Sequence, residues 1–265
     1  MNGHLVSYEP AKKLNVFDSR FSFFEDGTES HVFHKELGLL HDDGTYPMLT
    51  PSVVNFLPGM EVLDYSESVG GHYLRKKGAL YINDVHFGPN PIDQYDSSWF
   101  NIYYRPTPPK RQLKEIIMGT LGIAPIKPAL IIPANEIKKF TTELRISETI
   151  SMVTVVPHMH LLGKYFQAYA ITPANDTIPI IRIKNWDFRW QYAYTFPQLL
   201  PIPAGSLIKA EGVFDNTEKN ANNPFFPPQL IMERNGSMRT TDEMFQLIFT
   251  YVNYQNGDEK ISLEP

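Results

Sequence analysis

Cysteine is absent from all 265 residues of the chain. Its absence excludes a disulfide framework, a zinc ribbon, an iron–sulfur cluster, a thiol nucleophile and a blue-copper centre, which needs a thiolate. Any metal must therefore rest on histidine, methionine, carboxylate or backbone oxygen. Long apolar runs are missing as well. No stretch reaches the roughly 18 to 20 residues with which a helix crosses a bilayer, so no membrane span is expected. The opening MNGHLVSYEP lacks the charged segment and apolar core of a signal peptide. Positive charge is scarce: 24 Lys and Arg stand against 29 Asp and Glu, a formal net charge of −5. With no basic stripe interleaved with aromatics, nothing would attract a phosphate backbone, and nucleic acid is not an expected partner.

What is present argues for a folded, strand-rich protein. Hydrophobic residues make up 42% and charged residues 20%, far from a disordered composition. The 22 prolines, 14 tyrosines and 17 phenylalanines favour short strands between sharp turns, because proline removes a backbone donor and aromatics suit a pleated surface. An all-β fold is expected, and the length suits two modest domains better than one. HLVSYE, FSFF, SVVNFLPG, ALYINDVHFG and SSWFNIYYRP read as strands of the first domain. The proline-dense Arg105 to Gln112 reads as a linker, giving domains at 1–108 and 109–265. Beyond it, KEIIMGT, SMVTVVPHMHLLGKYFQAYAITP, IPIIRIKNW and EMFQLIFTYVNYQ repeat the strand and turn rhythm of a sandwich. A short helix near Lys110 to Met118 is the one exception considered. DNTEKNANNPFFPP is loop by composition, and no fixed-period repeat points to a solenoid or propeller.

The sharpest chemical signal is His158-Met159-His160 in TVVPHMHLLGK. On a strand, side chains alternate faces with a period of two, so both imidazoles point one way and Met159 the other. Two neutral imidazoles on one rigid face supply two ligands for copper, zinc or iron. A bare His-x-His is nonetheless more often structural than a ligand pair. Met244, opening an apolar run in TTDEMFQLIFTY, is the candidate third ligand, since a soft thioether prefers copper, Cu(I) above all. Most of the nine methionines are expected to be core fillers.

PHMHLLGK, the acid–asparagine loop FDNTEKNANNP and the TTDEM segment, in that order, resemble the catalytic domain of the copper type II, ascorbate-dependent monooxygenases, the peptidylglycine α-hydroxylating and dopamine β-monooxygenase family. The resemblance covers most of the chain. It implies two jelly-roll-like antiparallel β-sandwich domains and a catalytic copper held by His158, His160 and Met244. It also implies a small-molecule substrate hydroxylated with dioxygen, ascorbate as reductant, and a periplasmic or secreted location. LYINDVHFGPN is similar to the family strand that supplies one ligand of a second, electron-transferring copper, which would make His86 that ligand. The family's His-His dyad for this copper is missing, and MNGHLV reads as the strand just after it. The first domain is therefore expected to be incomplete at its N-terminus, with one of two coppers retained.

Other histidines of the first domain (His4, His31, His34, His41 and His72) are weaker candidates; His31 and His34 could share a turn of helix as surface residues. A cupin would want a glutamate shortly after the pair, where Gly163, Lys164 and Tyr165 stand. Where peptide-processing members anchor a substrate carboxylate, this chain has Val156, Gln246 and Ile248, so neither a glycine-extended peptide nor a catecholamine is implied. Trp186, Asp187 and Trp190 are candidate pocket residues, with aromatic core the commoner fate. The competing readings are a non-catalytic copper-binding module and a ligand-binding sandwich whose contacts are aromatic.

Overall fold

The computed structural model describes residues 107–233 and 239–264, residues 65, 68–72 and 92, and the backbone of four strands nearer the N-terminus. The chain divides into two compact units, Met1–Gln112 and Leu113–Pro265. It is all-β and antiparallel, with no α-helix among the described residues.

In the first unit β1 (His4–Ser7), β2 (Ser19–Phe24), β3 (Ser52–Phe56) and β4 (Ala79–Asn83) form one sheet in the order β1-β4-β2-β3. His31, His34, His41 and His86 lie outside the described residues, as does the side chain of His4. His72 sits partly buried, edge-on to Tyr65 at 6.3 Å between ring centroids. Burial lowers its pKa to about 4, so the ring is neutral at pH 7.

The second unit is a sandwich. Its strands are β5 (Lys114–Gly119), β6 (Ile126–Lys127), β7 (Ile131–Ile132), β8 (Ile137–Arg145), β9 (Ile150–Met159), β10 (Gly163–Ile171), β11 (Thr177–Ile183), β12 (Tyr194–Ile202), β13 (Leu207–Asp215), β14 (Ile231–Met232) and β15 (Phe245–Asn253). One sheet runs β11-β10-β13-β8-β6, the other β12-β9-β15-β5, and β14 pairs with β7 as a separate ribbon. In β10 the period-two rule is visible directly: Phe166, Ala168 and Ala170 are buried while Tyr165, Gln167 and Tyr169 face outward. The two inner faces meet through edge-to-face aromatics, Phe166 on Phe245 at 5.6 Å and Phe214 on Phe245 at 6.1 Å.

The short helix considered for Lys110 to Met118 is not formed; Lys114–Gly119 is strand β5. Such a segment, bounded by Pro108, Pro109 and Gly119, is well short of the roughly 12 residues at which an isolated helix becomes marginal. Pairing with β15, from Tyr251 opposite Lys114 to Gln246 opposite Gly119, satisfies the same backbone groups. Gly119 has φ +87, and a Cβ there would strike the Phe245 carbonyl oxygen at 1.9 Å, so glycine is required for this close approach.

β12 is an edge strand, and its second half is covered by the C-terminal segment. Leu199 N–H donates to the Ile261 carbonyl (3.1 Å) and Leu263 N–H to the Pro197 carbonyl (2.8 Å). The segment is held by Asp258 in a short 3-10 turn, Asp258–Lys260, whose carboxylate accepts from the Ser151 hydroxyl (2.6 Å) and the Gln255 amide (3.0 Å).

One core hydroxyl has no hydrogen-bond partner: Ser206 Oγ, in a residue that is fully buried. A buried polar group left unsatisfied costs about 1–3 kcal/mol. Ser206→Ala is therefore expected to raise the urea midpoint or leave it unchanged, with a gain of up to about 1 kcal/mol. A clear loss of stability would mean that the hydroxyl is bonded after all.

Candidate metal centre

His158 lies next to the end of β9 and His160 one residue beyond it, while Met159 between them is fully buried in the core. The two imidazoles share the other side, with centroids 5.0 Å apart and planes at 88°. The alternation that buries Met159 is thus what brings the two rings together.

Each ring is oriented through Nδ1. His160 Nδ1 lies 2.7 Å from the carbonyl oxygen of Asp242, which can only accept, so Nδ1 carries the proton. His158 Nδ1 lies 2.5 Å from Gln191 Oε1, and the Gln191 amide is oriented by its Nε2 donating to the Phe188 carbonyl at 2.9 Å. Nδ1 is therefore the donor here too. In both neutral rings the lone pair then resides on Nε2, the arrangement by which outer N–H···O bonds fix the tautomer of metal-binding histidines. Phe188 packs edge-on to the His160 ring at 5.5 Å, and Trp186 Nε1 donates to the His160 carbonyl at 3.2 Å.

β15 runs antiparallel beside β9, with Gln246 opposite His158 and Phe245 opposite Met159. The ladder ends at Phe245; continued by one step, the same register would set Met244 across from His160. Met244 is 1% exposed.

Glu243 ties the two segments together. One carboxylate oxygen accepts the His160 amide (3.0 Å) and the other the Leu162 amide (2.7 Å). Burial pushes its pKa up to about 8 against the pull of these amides. Its neighbour Asp242 holds His160 by its carbonyl, so the D-E-M run acts as one bracket around the end of the His-x-His strand.

Among the described residues no group of three or more His, Cys, Asp or Glu is placed to hold a metal. Two neutral imidazoles joined by a thioether such as that of Met244 would fit copper better than zinc or iron.

Val156 pairs with Ile248, both half-buried, and the Gln246 amide donates to the Thr120 carbonyl at 2.5 Å. The sheet beside His158 thus presents no charge at these three positions. Of the aromatic candidates, Trp186 is buried in the core cluster, while Trp190 is 63% exposed. Asp187 closes the turn between them, accepting the amides of Arg189 on Oδ1 and of Trp190 on its carbonyl. The acid–asparagine loop is a hydrogen-bonded knot: Asn216, fully buried, donates to the carbonyls of Ile132, Pro133 and Gln229, and Asp215 accepts from Thr217 and Lys164.

Gln191, Phe188 and Glu243 are site residues that sequence reasoning missed. An acid directly before Met244 was a usable signal for Glu243; a glutamine after Trp190 was none. Gly163 is also required here, since a Cβ would lie 2.5 Å from Trp186 Cδ1 and 3.0 Å from Met159 Cε. Gly163→Ala is expected to cost about 1–3 kcal/mol by overpacking and to alter the near-ultraviolet circular dichroism of Trp186. Unchanged stability and spectrum would refute this close packing.

No protein-family model matches the chain, and no curated protein matches its sequence.

Proposed function

We propose that the protein is a copper-dependent monooxygenase that binds copper through His158, His160 and Met244. It hydroxylates a C–H bond of a small substrate, using dioxygen and an external one-electron reductant such as ascorbate. What supports this reading is the pair of Nδ1-anchored imidazoles 5.0 Å apart, with Glu243, directly before Met244, hydrogen-bonded to the His160 amide. Copper, when bound, supplies one-electron redox chemistry and a coordination position for dioxygen.

The chain's own groups do the rest. Gln191 and the Asp242 carbonyl hold the proton at each Nδ1, which would leave Nε2 as the nitrogen of each ring to hold the metal. The Met244 thioether, a neutral soft donor, favours the reduced ion over the oxidised one. Val156 and Ile248 keep the adjoining surface apolar, which suits an uncharged substrate better than a carboxylate or an ammonium ion. The overall reaction takes one dioxygen, two electrons and two protons, and yields the alcohol and water. His86 would serve a second, electron-relaying copper, and an exported location is expected of such an enzyme.

Titration of the purified protein with Cu(I) against a competing chelator tests the site, with one tightly bound equivalent expected in Leu113–Pro265. X-ray absorption at the copper edge should find two nitrogen scatterers and one sulfur. Ascorbate-dependent oxygen uptake tests the chemistry. One copper without oxygen uptake would favour the non-catalytic binder, a reading to which the missing His-His dyad lends weight; no copper at all would remove the proposal.

A further inference from the structure

A loop spanning Trp186 to Tyr192 is pinned to the two histidines at three points, two of them on the rings. The Trp186 indole N–H holds the His160 carbonyl, the Phe188 ring packs on the His160 ring, and Gln191 bonds to His158. Two residues of that loop put an aromatic stack at the surface. Trp190 lies nearly parallel to Tyr192, at 17° with centroids 5.2 Å apart, and Tyr192 lies 6.2 Å from Tyr194 at the start of β12. One face of the indole is covered by Tyr192, yet Trp190 remains 63% exposed.

A large exposed indole beside polar rim residues is unusual in a folded protein, whose isolated surface apolar groups are mostly smaller. Its placement is not explained by packing, because most of the residue is left exposed. Its backbone is held by the Trp190 amide, which donates to the Asp187 carbonyl at 3.0 Å, and its ring by the stack on Tyr192. A rigid aromatic anchor loses little conformational entropy on binding, which is the property of a preformed recognition surface.

We propose that Trp190 is the docking platform for a flat, uncharged aromatic ring of the substrate, which continues the Tyr192–Trp190 stack. The proposal rests on the copper reading for the meaning of substrate, though the platform itself needs no metal. Two observations select the ring class. The parallel Trp190–Tyr192 geometry favours a third flat π system in offset stacking. The positions beside His158, Val156 and Ile248, carry no charge to pair with an ionised substrate.

Calorimetric titration of the copper-free full chain with matched probes tests it: benzamide, its saturated counterpart cyclohexanecarboxamide, benzoate, benzylamine and methyl glucoside. Benzamide is expected to bind about three- to tenfold more tightly than each of the others, as the worth of an aromatic pair implies. Trp190→Ala should remove that preference and Trp190→Phe restore most of it, with Cu(I) affinity the same in all three proteins. Equal binding of benzamide to the alanine variant, no binding up to the solubility limit, or a Trp190-dependent preference for the glucoside would each overturn the proposal. Because the titration omits copper, failure of the metal site and failure of the platform are read separately.

Discussion

Alanine at both His158 and His160 is expected to abolish stoichiometric copper binding and all ascorbate-dependent oxygen uptake while leaving the fold intact. The magnitude follows from the outer contacts. Loss of a residue that only orients a ligand typically lowers metal affinity about 10- to 100-fold. Gln191→Ala should fall in that range, because it frees the His158 ring without removing it. Removing both rings must exceed it, by on the order of 100-fold or more. Met244→Leu separates oxidation states: size and burial are kept, the thioether is lost, and Cu(I) affinity should fall far more than Cu(II) affinity. Chelator competition in each oxidation state measures this. If the leucine variant bound Cu(I) as the parent does, Met244 would be a core residue and nothing more.

Glu243→Ala should produce the largest loss of stability of any single substitution near the site. Two buried amides, those of His160 and Leu162, lose their acceptor together. At about 1–3 kcal/mol for each orphaned group, a loss of about 2 kcal/mol or more is expected in denaturant unfolding. Copper affinity should fall as well, since the bracket that sets Met244 against His160 is gone.

The same residue sets a pH dependence. Burial raises the Glu243 carboxyl from 4.5 to about 8, so between these values the folded protein binds more protons than the unfolded chain. Its contribution is fully present below about 4.5 and is lost as pH rises through about 8, at up to about 1.4 kcal/mol per unit. Glu211 and Asp215 act in the opposite sense. Burial works against their charge, but Lys139 and Gln167 for the first, and Lys164 and Thr217 for the second, hold both below the ordinary carboxylate range. What they contribute is present above their unfolded values and disappears as pH falls. Stability should therefore peak in mildly acidic solution. Glu243→Gln should flatten the alkaline limb and leave the acid limb in place; an alkaline limb of parental slope would show that another group is responsible.

Much of this was legible in the residues. The aromatic and proline content pointed to short strands between sharp turns, and TVVPHMH carried a period-two pattern that fixed which side each of its last residues faces. The Asp215–Asn223 turn was equally plain, because asparagine side chains bond to nearby backbone and the loop is knotted through such bonds. Local reasoning read Lys114–Gly119 as strand but left a short helix open over the same stretch, because the deciding partner, β15, is far along the chain. At the site it failed for the same reason. The bond from Gln191 to His158 spans 33 residues and that from the His160 amide to Glu243 spans 83. No spacing rule encodes either, since both depend on which strands become neighbours.

The C-terminal clasp on β12 bears on how the protein behaves when crowded. An open sheet border invites a second molecule to add its own strand. Here the amide of Leu199 and the carbonyl of Pro197 are already engaged by Ile261 and Leu263, so colliding copies find that stretch closed. The seal is fastened one strand inward, through Ser151 on β9 and Asp258; resistance to edge-to-edge association is thus expected to depend on a buried hydroxyl–carboxylate latch.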